Sequence, residues 1–240
     1  MGRVLALAYG VLCYLVFFGT FCYAAWFVWT MDQLSPSSRT WQIALLIDAA
    51  VLSVFALQHS IMARRSFKNV WTKIVPRPIE RSTYVLASSL ALLLLFWLWQ
   101  PLPGTVWQVE KSFGRITLTV LFVLGWLTVL LSTFLIDHFD LFGLKQTWRY
   151  FQRKDYQPPT FATPGWYRLV RHPIYLGFIV AFWSTPHMTI AHLFFAVMTT
   201  GYILVAIQLE ERDLVTYYGE QYQIYRSGVS MLVPWPSKKR

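Results

Sequence analysis

Long apolar runs separated by shorter polar segments dominate the first half of the chain. Four of these runs are each about long enough, as helices, to cross a hydrocarbon core about 30 Å thick. They extend from Val4 to Trp29, from Trp41 to Met62, from Thr83 to Trp99 and from Arg115 to Ile136. The pattern therefore predicts four transmembrane helices within residues 1–136.

The next apolar segment is interrupted by a proline. Residues 173–185 would rise only about 20 Å as a helix, which stops short of a full crossing. Pro186 then breaks the run, and apolar residues continue from Met188 to Leu209. A helix hairpin fits this arrangement better than two full crossings. The predicted fold is all-α: a polytopic membrane helical bundle with about five spans, the last a helix-turn-helix hairpin.

The basic residues predict an orientation. Of the 21 lysine and arginine residues, all but Arg39, Lys111 and Arg115 lie at the amino terminus, in the second and fourth loops, or after residue 210. Because such residues accumulate on the cytoplasmic side, those segments are expected to be cytoplasmic. The prediction is one membrane domain, 1–240, made of four N-terminal spans (1–136), a cytoplasmic loop (137–172), the helical hairpin (173–217) and a cytoplasmic tail (218–240).

Composition supports a membrane protein and excludes several other classes. Hydrophobic residues make up 56% of the chain and charged residues only 13%. The net charge of +10 is divided among loops, where topology and anionic lipid headgroups explain it better than nucleic acid. Cys13 and Cys22 lie inside the first apolar run and are expected to be packing residues rather than a disulfide or metal site. The scattered histidines predict no metal centre.

Charged and aromatic residues gather at the two ends of the hairpin. Arg171 and His172 precede a proline at a helix start, where a cation and free backbone donors suit an anion. The other arm ends in Glu210 and Glu211, and Tyr218, Tyr222 and Tyr225 follow at roughly helical spacing. The cation and the backbone donors suit a carboxylate, and the two acids suit a diol. The aromatic rings suit a base or a sulfonium, so the whole set suits a zwitterionic nucleoside. Alternatively, Arg171 reaches the lipid headgroups and the glutamates mark the exit of the helix into water.

The stretch RHPIYLG, followed after the hairpin by EERDLVTYYGEQYQIYRSGVSMLVP, resembles the carboxyl-terminal signature of the integral-membrane methyltransferases. This superfamily includes isoprenylcysteine carboxyl methyltransferase and the phospholipid methyltransferases. The resemblance implies S-adenosylmethionine bound at a cytoplasmic site beside the hairpin. Carried over by position, the expected cofactor-binding residues are Arg171, His172, Tyr175, Gly177, Glu210, Glu211, Tyr222, Tyr225 and Arg226.

The five-span plan and the HFDLFGLKQ element resemble the bacterial methanethiol S-methyltransferases and their NnrU-like relatives more than they resemble the prenylcysteine enzymes. That similarity implies methyl transfer to a small thiol, methanethiol, giving dimethyl sulfide in a bacterial inner membrane. Membrane lipids are the other expected partners. Two alternatives stay open: methylation of a lipid amine or a prenylated cysteine, and a non-enzymatic membrane transporter or binding protein.

A small alkanethiol has a pKa of about 10, so at neutral pH a base must take its proton. We expect His138 or His59 to receive it, oriented by Asp137 or Asp140. The alternatives are a helix end entering water for the group at 137–140, and interhelical hydrogen bonding for His59 and its neighbour Gln58. Asp48 lies inside the second span and should face the bundle, because an unpaired charge there costs several kcal/mol. His187 and His192 are expected to be structural.

Overall fold

The computed structural model describes residues 2–234 and is built almost entirely of helices. In chain order the elements are α1 (Arg3–Trp29), α2 (Trp41–Ala63), α3 (Arg65–Trp71), α4 (Arg77–Leu98), β1 (Thr105–Gln108), α5 (Ser112–Leu135), α6 (His138–Leu141), α7 (Leu144–Phe151), α8 (Pro173–Trp183), β2 (His187–Thr189), α9 (Ile190–Tyr218) and α10 (Glu220–Gly228). Short 3-10 helices occupy Met31–Gln33 and Gly165–Arg168.

Five of the described helices are long and apolar enough to cross a membrane: α1, α2, α4, α5 and α9. This confirms the predicted polytopic helical bundle. The third span begins earlier than predicted, at Arg77, because Pro78 stands in the first turn, where a missing N–H costs nothing. Glu80 in the same turn also favours a helix start. Residues 235–240 of the predicted cytoplasmic tail lie outside the described residues.

The hairpin is formed by α8 and α9, and its arms differ greatly in length. The first has 11 residues and the second 29, in agreement with a first arm too short for a full crossing. The connection contains β2, which pairs antiparallel with β1. This two-stranded sheet was not predicted, since strands of three and four residues leave no readable period in the sequence.

The chain divides into two compact units. The first comprises the chain up to Gly104 together with Asp137–Pro159, and the second comprises Thr105–Ile136 and the chain from Thr160. In the first unit α4 packs against α1 and α2, and α7 packs against α1. A Cβ atom added at Gly10 of α1 would lie 2.5 Å from Oγ1 of Thr147, so this helix contact requires a glycine.

In the second unit, α5 and α8 make the most extensive helix contact. A Cβ atom added at Gly125 would lie 2.7 Å from the backbone nitrogen of Ala181 and 2.8 Å from the carbonyl oxygen of Gly177. One added at Gly177 would lie 2.7 Å from the carbonyl oxygen of Gly125. Small residues allow such close backbone approach between membrane helices, and dispersion contacts then hold them together. The two glycines therefore fix the short arm of the hairpin against α5.

Replacing Gly125 with alanine should weaken this contact. The new methyl group would overlap backbone atoms that cannot rotate away, and overpacking of this kind costs about 1–3 kcal/mol. We expect a lower thermal unfolding temperature for the purified protein in detergent. The matched control is Gly201→Ala on α9, where nothing lies within 4 Å of the added carbon. Equal unfolding temperatures for the two variants would contradict the close contact.

Candidate functional site

The carboxylate of Glu211, near the end of α9, is the centre of an ionic cluster. Arg171 donates from Nε to Oε1 at 2.7 Å, and His172 Nε2 lies 3.0 Å from the same oxygen. Arg226 of α10 approaches Oε2 at 3.6 Å. Glu211 and His172 are both buried, with 5% of each residue exposed. A buried carboxylate is stable only with such partners, so this cluster joins three separate segments of the second unit.

Backbone contacts hold Arg171 at this position. Its guanidinium also donates from Nη1 to the carbonyl oxygens of Arg226, at 3.1 Å, and Val229. Its backbone N–H donates to the carbonyl of Ser230 at 2.8 Å, and that of His172 to Met231 at 3.2 Å. The chain after α10 therefore returns along the segment that leads into α8. These contacts fix the position of Arg171 in the segment that precedes α8.

The neighbouring acid, Glu210, has a different partner. The Tyr175 hydroxyl on α8 donates to its Oε2 at 2.9 Å. Successive helix residues point about 100° apart, which explains why the two adjacent glutamates reach different groups. Glu211 is thus held by cations, whereas Glu210 is held by a hydroxyl and is more exposed.

Aromatic side chains pack beside the ionic cluster. Phe161 lies with its ring centroid 5.0 Å from that of Tyr218, 5.6 Å from that of Tyr225 and 6.1 Å from that of Tyr222. Tyr225 donates its hydroxyl to the carbonyl of Tyr167 at 2.5 Å, and burial raises the pKa of Tyr225 to about 12. Phe161 and Tyr167 were not among the predicted site residues. The aromatic content of PPTFATPGWYRL was the available signal for them.

The tyrosines predicted at helical spacing do not share one helix. Gly219, with a φ of +58°, separates α9 from α10, and only glycine adopts this conformation readily. Tyr218 therefore ends α9, whereas Tyr222 and Tyr225 belong to α10. Tyr222 is 2% exposed, and its hydroxyl has no recorded hydrogen-bond partner among the described residues. Such a buried, unpaired group costs about 1–3 kcal/mol unless a ligand satisfies it.

Eight of the nine predicted cofactor-binding residues thus lie in one connected neighbourhood around Glu210 and Glu211. Gly177 instead forms the close contact with Gly125 described above. Its predicted role at the cofactor stays a prediction, and its observed role is packing.

The predicted catalytic residues all belong to the first unit. Asp137 adopts a left-handed conformation, with a φ of +79°, pairs with Lys145 and accepts the backbone N–H of Asp140 at 3.2 Å. Asp140 accepts from Gln146 Nε2 at 3.3 Å, and burial raises the pKa of its carboxyl group. Both acids therefore stabilise the short α6 segment, at the end of which the chain turns through Gly143 into α7.

The two candidate histidines have different surroundings. His138 is 2% exposed, its Nε2 lies 2.9 Å from the Tyr14 hydroxyl, and the rings of Phe139 and Phe142 pack edge to face against it. Burial lowers the pKa of His138. His59 on α2 is partly exposed and lies against Tyr84 of α4. Both imidazoles thus lie against a tyrosine hydroxyl of another helix, Tyr14 for His138 and Tyr84 for His59.

Structural partners are present for three further residues that the sequence singled out: Asp48, His187 and His192. Asp48 is fully buried, as predicted for a residue that faces the bundle, and its Oδ1 accepts the backbone N–H of Gln100 at 2.7 Å. His192 lies 2.9 Å from the carbonyl of Phe182, and His187 lies 2.9 Å from the Thr105 hydroxyl. These contacts agree with the structural roles expected for both histidines. Cys13 is buried, but Cys22 is exposed on α1, so packing within the chain explains only the first.

The membrane-length helices and the buried cluster at the hairpin define a polytopic helical membrane protein with a polar site beside its terminal hairpin. The chain is 53% identical to methanethiol S-methyltransferase of Crocosphaera subtropica, over all of this chain and 95% of the relative. It is 52% identical to the enzyme of that name from Mycobacterium tuberculosis, over 99% of each chain. The chain therefore belongs to the methanethiol S-methyltransferase family, which confirms the resemblance inferred from its motifs.

A more distant similarity points to a wider membrane superfamily. The chain is 30% identical to the Nurim homolog of Drosophila pseudoobscura, over 80% of this chain and 79% of the relative. No protein-family model matches the sequence. No solved structure matches it either.

Removing the Glu211 carboxylate should destabilise the protein more than removing that of Glu210. Glu211→Ala leaves the Arg171 guanidinium without its carboxylate and His172 without its hydrogen-bond partner, and breaking a buried pair costs about 3–5 kcal/mol. Glu210→Ala loses one hydroxyl contact, which is worth about 1 kcal/mol. Thermal unfolding of the two variants in the same detergent measures this difference. A larger loss for Glu210→Ala would show that the ionic cluster does not hold the hairpin.

Proposed function

We propose that this protein transfers the methyl group of S-adenosylmethionine to methanethiol and releases dimethyl sulfide. The main support for this proposal is a sequence identity above 50%, over nearly the whole length of both chains, to relatives named methanethiol S-methyltransferase. A methyltransferase needs a methyl donor. The groups around Glu210 and Glu211 support the choice of S-adenosylmethionine.

The residues at the hairpin fit the chemistry of this cofactor. Arg171 and the first-turn N–H groups of α8 suit the carboxylate of its methionine part. Glu210 and Glu211 suit its ammonium group or the ribose diol, and Tyr222 offers a buried hydroxyl with no recorded partner. The rings of Phe161 and Tyr225 suit a purine or a sulfonium. The bound cofactor supplies an electrophilic methyl group on a positively charged sulfur.

The remaining step, removal of the proton from the thiol, needs a base that the protein supplies. Methanethiol must lose its proton before or during transfer, because its thiolate is the nucleophile. We propose His59 or His138 as the acceptor of that proton. Asp137 and Asp140 contribute by fixing the α6 segment that carries His138. A positioned base of this kind contributes about 10²–10⁴-fold to a rate.

The proposed location is a bacterial inner membrane, with the cofactor site on the cytoplasmic side. This orientation rests on the uneven distribution of lysine and arginine among the loops. A site on the cytoplasmic side would be open to a soluble, charged cofactor.

Methyl transfer can be tested directly. Purified protein is incubated with S-adenosylmethionine labelled in its methyl group and with methanethiol, a phospholipid amine or a prenylated cysteine in parallel. We expect labelled volatile dimethyl sulfide only with methanethiol. Labelled lipid or prenylcysteine product would instead support the wider membrane methyltransferase activities. No labelled product, combined with no cofactor binding, would contradict the enzyme and favour a transporter or binding protein.

Arg171→Ala should weaken cofactor binding by tenfold or more, because it removes a charge-assisted hydrogen-bond donor from a buried site. The measurement is the dissociation constant for S-adenosylmethionine by calorimetry, with thermal unfolding as a check that the variant is folded. Arg168→Ala is the matched control, since this arginine lies in the same segment but is exposed. Unchanged affinity in a folded Arg171→Ala protein would remove this residue from the cofactor site.

A further inference from the structure

The connection between α2 and α4, within the first unit, carries a dense positive charge. Residues 64–77, which we call the basic segment, contain five bases and no acid: Arg64, Arg65, Lys68, Lys73 and Arg77. Lys73 and Arg77 are both exposed. A cluster of this size directly after a membrane span is typical of segments that bind anionic lipid.

The basic segment also exposes apolar side chains. Val70 is 61% exposed and Ile74 is 77% exposed. The rings of Phe67 and Trp71 stack with their centroids 5.6 Å apart, and both residues are partly exposed. Positions 67, 70, 71 and 74 have the spacing of one helix face. The chain keeps a helical turn beyond α3, because the N–H of Val75 donates to the carbonyl of Trp71 at 2.9 Å. The segment is therefore amphipathic.

Both ends of the basic segment are attached to helices of membrane-spanning length. It follows α2, which ends at Ala63, and it leads into α4, which begins at Arg77 and packs against α2. The 23 residues of α2 rise about 34 Å, enough to cross a hydrocarbon core of about 30 Å. The residues that follow α2 therefore emerge at the depth of the lipid headgroups.

We propose that the basic segment is an interfacial anchor that binds the headgroups of anionic phospholipids. Its lysine and arginine side chains meet the phosphate groups, and its exposed apolar side chains enter the boundary between headgroups and acyl chains. This inference depends on α2 and α4 crossing a membrane. It does not depend on the proposed methyl transfer.

The combination of charge and apolar surface favours a lipid layer over an acidic protein. A bilayer surface offers anionic groups directly above apolar chains, and amphipathic basic helices bind it through both. Zwitterionic lipids offer the apolar boundary but no net negative charge, so they should bind this segment more weakly. The attachment of the segment to α2 and α4 keeps it beside the headgroups without any further ordering.

The test measures thermal unfolding of the purified protein in detergent micelles while lipid is added. Phosphatidylglycerol should raise the unfolding temperature more than phosphatidylcholine with the same acyl chains, because it binds the folded segment. In a protein with both Lys73→Gln and Arg77→Gln, the phosphatidylglycerol concentration at half effect should rise about tenfold. Without lipid, this protein should unfold at the normal temperature, since both side chains are exposed and a base at the start of α4 adds no helix stability.

The matched control carries Arg39→Gln and Lys111→Gln. These bases are also exposed and lie just before α2 and α5, so the control removes the same charge near two helix starts. Its half-effect concentration should stay within about twofold of that of the unchanged protein, because neither base belongs to the cluster.

Spin labels test the depth of the apolar side chains. Ile74→Cys and Asn69→Cys are labelled in a Cys22→Ser background, where the remaining Cys13 is buried. Asn69 is exposed and lies about 140° from position 74 around the helix axis. In bilayers that contain phosphatidylglycerol, the label at position 74 should meet dissolved oxygen more than a water-soluble nickel complex. The label at position 69 should show the opposite preference.

Equal effects of the two lipids, or equal losses in the two double variants, would overturn the lipid anchor. The same holds if the label at position 74 meets the nickel complex as readily as the label at position 69. Stabilisation by glycerol phosphate alone, to the same extent as by phosphatidylglycerol, would show a site for small anions instead. None of these measurements uses methyl transfer, so failure of the proposed function would be seen separately, as a lack of labelled dimethyl sulfide.

Discussion

The buried carboxylate of Glu211 is the constraint on which the hairpin depends. A charge at 5% exposure must be compensated, and here the partners come from two segments: Arg171 and His172, where the chain enters α8, and Arg226 of α10. Both segments lie many residues from Glu211 in the sequence. One carboxylate therefore fixes the start of the short arm, the end of the long arm and the returning tail with respect to one another.

Packing at the two glycines completes what the ionic cluster begins. In a bilayer, apolar side chains gain little by leaving lipid for another helix, so close backbone contact must supply the attraction. Gly125 and Gly177 permit that contact between α5 and α8. Polar contacts hold the short arm at its first turn, and glycine packing holds it one turn later. An arm of 11 residues, too short to cross the membrane by itself, is in this way anchored at both points.

The sequence was sufficient for the spans and for most of the hairpin cluster, because each has a local signal. Apolar length locates α1, α2, α4, α5 and α9, and the motif contains Arg171, His172, Glu210 and Glu211, which meet in the hairpin cluster. Contacts that join distant segments leave no such signal. The role of Gly177 in helix packing depends on Gly125, 52 positions earlier, and Phe161 enters the tyrosine cluster from a loop. The separation of Tyr218 from Tyr222 depends on the backbone of Gly219.

The same limit applies to the two histidines predicted as candidate bases, His138 and His59. In sequence, His138 has the stronger pattern, because acids flank it at positions 137 and 140 and suggest an acid-base pair. In the structure, Asp137 pairs with Lys145 and accepts the backbone N–H of Asp140, contacts that stabilise the short α6 helix. His59 has no acid nearby in sequence, yet Tyr84 and Ser88 of another helix meet its ring. Both histidines thus meet hydroxyl groups of other helices, Tyr14 for His138 and Tyr84 and Ser88 for His59, and only the folded chain brings these groups together.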